Sequence, residues 1–300
     1  MIVPPAARAP QGLDAAALIA SAGIDRTDAR ILLAHASGLT RERLVTAPAN
    51  FAAPEALARF RALVARRAAG EPLAYLTGTR AFYGRDFAVT PEVLIPRPET
   101  ELLVDLALDF LRRAPAGAAR SPRVLDLGTG SGALAITLLL EDPQVEMWAV
   151  DISRAALAVA HANAERFGAT LKLIESDWFA NIEGIPERFD LIVANPPYIA
   201  AGDPHLRAGD LRFEPSIALS GGEDGLAAIR GIARAAPHFM APGAMLMVEH
   251  GWDQAAWVRA LLIDAGLVSV ASVRDLAGIE RCMSGIRGIR GTPGKRVRSH

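Results

Sequence analysis

One cysteine, Cys282, stands in 300 residues. That excludes an intrachain disulfide and leaves too few thiols for a cysteine-based metal site, and it fits a reducing compartment. The six histidines, at 35, 161, 205, 238, 250 and 300, never fall at the paired spacing of metal ligands, so no metal is expected. An excess of one charge is missing too. The 32 basic and 33 acidic residues leave a net charge of -1 and a pI near 6.6, which removes the general electrostatic footprint of a phosphate-backbone partner. Long apolar runs are absent: the longest, around Ala133 to Leu140, is far short of a membrane span. The segment from Met1 to Gln11 holds three prolines and no hydrophobic signal-peptide core, so the cytoplasm is the expected location. What is present is material for a sizeable core. Hydrophobic residues make up 51% of a length that suits one large or two medium domains.

The most informative stretch is Asp190-Leu191-Ile192-Val193-Ala194-Asn195-Pro196-Pro197-Tyr198. Its aliphatic, β-branched run reads as a buried central strand, and two prolines that can neither continue the ladder nor enter a helix stiffen the backbone behind it. Stiffness there fixes two acceptors. The Asn195 side-chain oxygen and the Pro196 carbonyl can both accept from one planar NH2 group, Pro197 holds the turn, and the Tyr198 ring offers a face for a flat group. An amide or an exocyclic amine suits such a clamp. A strand simply ended by a rigid turn is the competing explanation. Asn-Pro-Pro-Tyr after a hydrophobic strand resembles the motif of methyltransferases that modify adenine N6 or glutamine N5, two poorly nucleophilic nitrogens.

Taken in order, residues 1–12 read as a loose end, and the chain from Leu13 to Gly70 has helical periodicity without strand-like alternation. Short helices are expected near 13–22, 27–37 and 40–46 and a longer one over 54–69, opened by Pro54 and closed by Gly70 and Pro72. Residues 1–75 are therefore a small helical domain, either a simply packed unit or a docking surface for a protein substrate. Two aromatic-rich runs around Gly84 predict a hairpin, placed within a bridging segment 76–95. The acids Glu99 and Glu101 after Pro98 suit the first turn of a helix reaching about Arg113, where they offset the helix dipole. Residues 114–122 form a linker. From Arg123 strand and helix alternate, predicting a doubly wound α/β sheet of seven strands at 123–128, 145–150, 170–175, 189–194, 244–249, 267–273 and 281–287. Helices near 132–141, 153–167, 223–236 and 253–265 lie between them. The basic residues among glycines beyond residue 287 predict a solvated, flexible tail over 288–300.

In Val124-Leu125-Asp126-Leu127-Gly128-Thr129-Gly130-Ser131-Gly132 a strand runs into a glycine turn and then a helix. Glycines at 128, 130 and 132 let a ligand approach the backbone, and the helix start supplies free N–H groups. The spacing does not by itself exclude a dinucleotide, since Ala133 is a permitted variant of the third position of that fingerprint. The acid before the first glycine, and the lack of a catalytic set for hydride transfer, favour another cofactor.

Asp-Leu-Gly-Thr-Gly-Ser-Gly resembles the first motif of class I S-adenosylmethionine-dependent methyltransferases. The resemblance implies that Gly128, Thr129, Gly130, Ser131 and Gly132 line the methionine and ribose part of S-adenosyl-L-methionine and that Asp151, ending the second strand, takes the ribose hydroxyls. It further implies that Asp177 meets the adenine amino group, that Trp178 covers the ring, and that Asn195 touches the cofactor as well as the substrate. Tyr75-Leu76-Thr77-Gly78, Phe82-Tyr83-Gly84, Leu94-Ile95-Pro96-Arg97-Pro98-Glu99-Thr100-Glu101, Arg212-Phe213-Glu214-Pro215 and Glu249-His250-Gly251 extend the likeness to residues 13 to about 287. Together they are similar to the peptide chain release factor N5-glutamine methyltransferases. Cys282-Met283-Ser284 departs from the more apolar last strand of that family. The family's expected architecture is a class I methyltransferase sheet over 96–287 behind a helical domain. Its expected reaction is methylation of the glutamine in the Gly-Gly-Gln loop of class 1 release factors by a monomer that contacts neither membrane nor nucleic acid. Asn195, Pro196 and Tyr198 would be catalytic, with Pro197 completing the substrate contact. A glutamine methyltransferase of a ribosomal protein, an adenine-N6 enzyme, a non-catalytic S-adenosylmethionine sensor and an NAD-dependent dehydrogenase stay open as alternatives.

Overall fold

Asp25, whose carboxylate accepts from the Thr27 N–H at 2.7 Å, and Gly38, at φ +71°, bound the longest of the early short helices at both ends. In the computed structural model, which describes residues 14–46, 52–113, 120–182 and 188–289, that helix is one of five in a first compact unit ending at Gly78. The expected loose end at 1–12, most of the linker at 114–122 and the tail beyond 289 lie outside the described residues. The five are α1 (Ala15–Ala20), α2 (Arg26–Ser37), α3 (Arg41–Val45), α4 (Pro54–Ala68) and α5 (Leu73–Thr77). Leu18, Leu32, Leu33, Leu44, Phe60 and Leu76 form their common core. The Arg67 guanidinium on α4 meets the Asp28 carboxylate on α2 at 2.7 Å. α5 is absent from the sequence expectation. Pro72 caps it with φ -57° already set, and Gly78 at φ +73° stops it one turn later.

The second unit starts at Thr79 with a hairpin, β1 (Thr79–Phe82) and β2 (Arg85–Ala88), turned by Tyr83 and Gly84. Both turn residues have positive φ, 49° and 73°, as a tight two-residue hairpin requires. Phe82 and Phe87 bury into the core of this unit, and the Asn163 side chain bonds both N–H and C=O of Ala88. A three-ten turn, Pro98–Thr100, leads into α6 (Glu101–Arg112). Then come β3 (Arg123–Leu127), α7 (Ala133–Glu141), β4 (Glu146–Asp151), α8 (Arg154–Phe167), β5 (Lys172–Glu175), β6 (Phe189–Ala194), α9 (Ala227–Phe239), β7 (Met240–Glu249), α10 (Ala255–Asp264), β8 (Leu267–Arg274) and β9 (Glu280–Arg287).

The sheet order is β5-β4-β3-β6-β7-β9-β8, with β9 antiparallel to both neighbours and every other pair parallel. Strict alternation puts Val124, Met147, Ala149, Leu191, Val193 and Met247 on the face covered by α6, α7 and α8. Leu125, Leu127, Trp148, Val150, Ile192, Leu246 and Val248 face α9 and α10. This is the expected seven-stranded, doubly wound α/β sheet. Cys282 and Met283, the departures in the last strand, are buried within an unbroken β9. Two boundaries are shifted by four residues from the sequence reading. α9 starts at Ala227 rather than 223 because Gly225 is left-handed at φ +72°. β7 starts at Met240 rather than 244, pairing with Phe189, and a register shift between Phe189 and Leu191 absorbs Pro242 and Gly243.

Candidate active site

The strand order reverses at β3 and β6: β4 and β5 lie beyond β3 on one side, and the chain returns to pair β6 on its other side. A crevice at the carboxyl ends of those two strands is where such sheets hold ligands. The last register pair is Leu127 with Ala194, so Gly128 and Asn195 leave the sheet side by side. A cavity of about 410 Å³ opens there, within the range of small-molecule sites. Gly128, Gly130, Asp151, Asp177, Trp178, Asn195 and Pro197 line it.

Each of these residues is held by the backbone around it. The Gly128 and Thr129 N–H groups both donate to the Val150 carbonyl, at 2.9 Å each, folding the glycine turn against the end of β4. The Asp151 carboxylate accepts from Gly130 N at 2.9 Å through Oδ2 and from Ser153 N at 2.9 Å through Oδ1, which orients the group and leaves each oxygen a further lone pair. Trp178 has φ +50°, a conformation rare outside glycine, and the Ser176 hydroxyl secures it by donating to the Trp178 carbonyl at 2.9 Å. Its ring lies over Gly128: a Cβ there would stand 3.5 Å from the ring edge. Gly130 faces open space. Thr129 and Ser131 do not line this cavity but a small adjoining one of about 60 Å³, together with Asp126, Thr100 and Asn195. Gly132 borders neither. A Cβ at Gly132 would come within 2.9 Å of Ile136 and 3.2 Å of Ala160, so packing of α7 against α8 accounts for that glycine. Burial pushes the Asp126 carboxyl up to about 7, with the Thr129 hydroxyl opposing and the Asp151 charge adding to the shift.

On the other side of Asn195 is a second cavity of about 490 Å³, lined by Arg97, Asn195, Pro196, Pro197, Tyr198, His205 and Glu214 among others. The two cavities share Leu94, Asn195, Pro197 and Ala218. Three-ten turns at Pro204–Arg207, Gly209–Phe213 and Ser216–Ala218 form its outer wall. The buried Glu214 carboxylate ties that wall to the Leu94–Arg97 segment, accepting from Ile95 N at 3.0 Å and pairing with the Arg97 guanidinium.

Several residues that hold the site gave no sequence signal of their role. Asn195 Nδ2 donates to Thr100 Oγ1 at 2.9 Å, and that hydroxyl donates to Glu249 Oε2 at 2.8 Å. Tyr198 donates its hydroxyl to Glu249 Oε1 at 3.3 Å. Burial pushes Glu249 up to about 7, against the Thr100, Tyr198 and Arg281 interactions, and the same burial with the Glu249 charge holds the Tyr198 phenol above its ordinary range. Glycines 221 and 225 press the following loop onto the Asn-Pro-Pro-Tyr segment. Gly221 N donates to Ile199 O at 2.8 Å, and a Cβ on Gly221 would come within 2.7 Å of the Pro197 carbonyl. Gln254 Nε2 donates to the Tyr198 carbonyl at 2.9 Å. The two acids assigned to the helix dipole divide: Glu101 Oε1 accepts from Tyr83 N at 2.8 Å and so anchors the hairpin turn to α6.

Two family models match the chain, the Methyltransferase small domain over residues 103–213 and the PrmC N-terminal domain over residues 13–78. The sequence is 53% identical over 283 residues to the release factor glutamine methyltransferase of Burkholderia pseudomallei, a match covering 92% of this chain and 97% of that protein. It is 52% identical over 270 residues to the corresponding protein of Bordetella pertussis, with coverage of 89% and 97%. Among solved structures, a methyltransferase from Pyrococcus furiosus superposes with a TM-score of 0.50 at 19% identity, over 75% of this chain and 98% of that one, a likeness of fold alone.

Proposed function

Since the chain belongs to the family of release factor glutamine methyltransferases, we propose that it transfers a methyl group from S-adenosyl-L-methionine to the side-chain amide nitrogen of the glutamine in the Gly-Gly-Gln motif of class 1 peptide chain release factors. S-adenosyl-L-methionine, when bound, supplies the methyl group as an electrophile on a sulfonium sulfur. The chain's own residues fit that cofactor at the crevice of about 410 Å³. Asp151 has a spare lone pair on each oxygen for ribose hydroxyls, Asp177 offers an acceptor for the adenine amino group, Trp178 an aromatic face, and Gly128 and Gly130 leave the backbone open.

The observation that carries the substrate side is the meeting of two cavities at Asn195. A nitrogen held there by acceptors on one side faces the cofactor on the other. An amide nitrogen is conjugated with its carbonyl and is a poor nucleophile. As it attacks it loses that conjugation and gains positive character, so acceptors aimed at both of its N–H bonds favour the transition state more than the ground state, and after transfer the strongly acidic N-methylated amide gives its surplus proton to water. Asn195 Oδ1 and the Pro196 carbonyl supply those acceptors, Tyr198 and Pro197 bound the flat group, and in-line placement of nitrogen and methyl supplies an orientational advantage. The helical unit up to Gly78 serves as the docking surface for the release factor. The near balance of charge supports a protein rather than a nucleic acid as partner, and a cytoplasmic monomer is the simplest form for the work.

Asn195→Ala tests this reading. Turnover in a single-turnover assay on a release-factor domain should fall on the order of a hundredfold, by analogy with loss of one oxyanion-hole donor. Cofactor affinity, measured by calorimetry on the same variant, should fall much less. Near-normal turnover would remove Asn195 from the chemistry.

A further inference from the structure

Among the described residues, the Asn195 side chain makes a single hydrogen bond, from Nδ2 to Thr100 Oγ1. Which of its two amide atoms faces the cavities therefore depends on Thr100. A hydroxyl has one proton to give. Thr100 gives it to Glu249, 149 positions away in sequence, through a contact of 2.8 Å between two buried groups. We infer that Glu249 and Thr100 are positioning residues for the methyl transfer: the Glu249 carboxylate accepts a hydrogen bond from the Thr100 hydroxyl, the Thr100 oxygen can then only accept from Asn195, and Asn195 is locked with its oxygen toward the substrate nitrogen. The inference rests on the proposed amide methylation.

The chain of bonds has two directions. An ionised Glu249 only accepts, and it takes Thr100 on one oxygen and Tyr198 on the other. Once Glu249 carries a proton on Oε2, it can donate to Thr100, which frees the Thr100 proton to bond Asn195 Oδ1. The amide then turns over. An NH2 group replaces the acceptor facing the substrate N–H, and the clamp becomes repulsive. The groups around Glu249 set where this happens. Arg281 on β9 favours the carboxylate, Glu99 in the turn before α6 opposes it, the Thr100 and Tyr198 hydroxyls favour it, and the neighbouring Cys282 thiol on β9 is kept neutral by burial and by the Glu249 charge. With the carboxyl raised from 4.5 to about 7, the productive direction is populated above that pH and lost below it.

Thr100→Val keeps the shape and removes the relay. The expected result is a fall in turnover of about tenfold to a hundredfold, the scale on which outer hydrogen-bond partners of a reactive site act, with the affinity for S-adenosyl-L-methionine unchanged. The wild type should gain activity as pH rises through about 7, Thr100→Val should lose that limb, and Thr100→Ser should restore both. Independently of turnover, the Asn195 side-chain amide protons of the wild type should titrate with the same midpoint in nuclear magnetic resonance spectra and not in Thr100→Val. Wild-type turnover in Thr100→Val, an unaltered pH limb in that variant, or Asn195 amide resonances indifferent to pH would each overturn the relay. A wild type that leaves release factor unmethylated contradicts the proposed substrate, and the amide resonances then decide the relay alone.

Discussion

Asp151 ends β4 with a carboxylate already oriented by two backbone N–H groups, at Gly130 and Ser153. A ligand hydroxyl therefore meets a fixed acceptor rather than a freely rotating one, which is how a partly buried carboxylate contributes to affinity. Asp151→Ala removes a charge-assisted bond and also releases the glycine turn, so cofactor affinity should weaken by about 1.5 to 3 kcal/mol or more. Asp151→Asn, which keeps one acceptor, should lose less. Titration calorimetry with S-adenosyl-L-methionine checks both, and unchanged affinity in the Ala variant would take Asp151 out of the site. At this scale the sequence exposes residues whose type is itself unusual. A glycine turn after a strand, an acid at a strand end and Asn-Pro-Pro-Tyr stand out without a structure, whereas Thr100 and Glu249 do not. Each falls within a segment that carries the family resemblance, but nothing in the sequence links the two, and only the fold brings together positions 149 apart.

The loop between Ser220 and Leu226 shows the same limit at the level of an element. Periodicity places a helix from 223, yet Gly225 is left-handed, at φ +72°, and its α-carbon lies against the Tyr198 segment. A Cβ on Gly225 would stand 2.4 Å from the Tyr198 carbonyl and 2.8 Å from Gln254 Nε2, both parts of the frame of the site. Gly225→Ala should therefore cost about 2 kcal/mol or more, combining left-handed strain with a backbone clash. Gly202→Ala, in open space without a positive φ, should stay within about 0.5 kcal/mol. Chemical denaturation of the two variants makes the comparison, and equal stability would show that the loop yields without strain. The central strands β3, β4 and β6 were legible because both faces of the sheet are covered there and their runs are almost continuously apolar. The start of β7 was not, because Pro242 and Gly243 read as a turn while a register shift in the pairing with β6 accommodates them.

For the whole molecule, the crevice residues lie in the unit from Thr79 onward, and the five helices up to Gly78 form a unit with its own core. The proposed function has two requirements, a methyl-transfer site and recognition of one protein partner. Composition shows no charge excess, and no described helix is long and apolar enough to cross a membrane. What composition cannot supply is the identity of the acceptor. The most direct measurement offers the full chain, with isotopically labelled S-adenosyl-L-methionine, a purified class 1 release factor, ribosomal protein and RNA side by side. Peptide mass spectrometry then locates the label. The expected result is a single methyl group on the side-chain amide of the glutamine in the Gly-Gly-Gln segment, with the other two substrates unlabelled; a release factor left unmethylated while ribosomal protein or RNA takes up the label contradicts it.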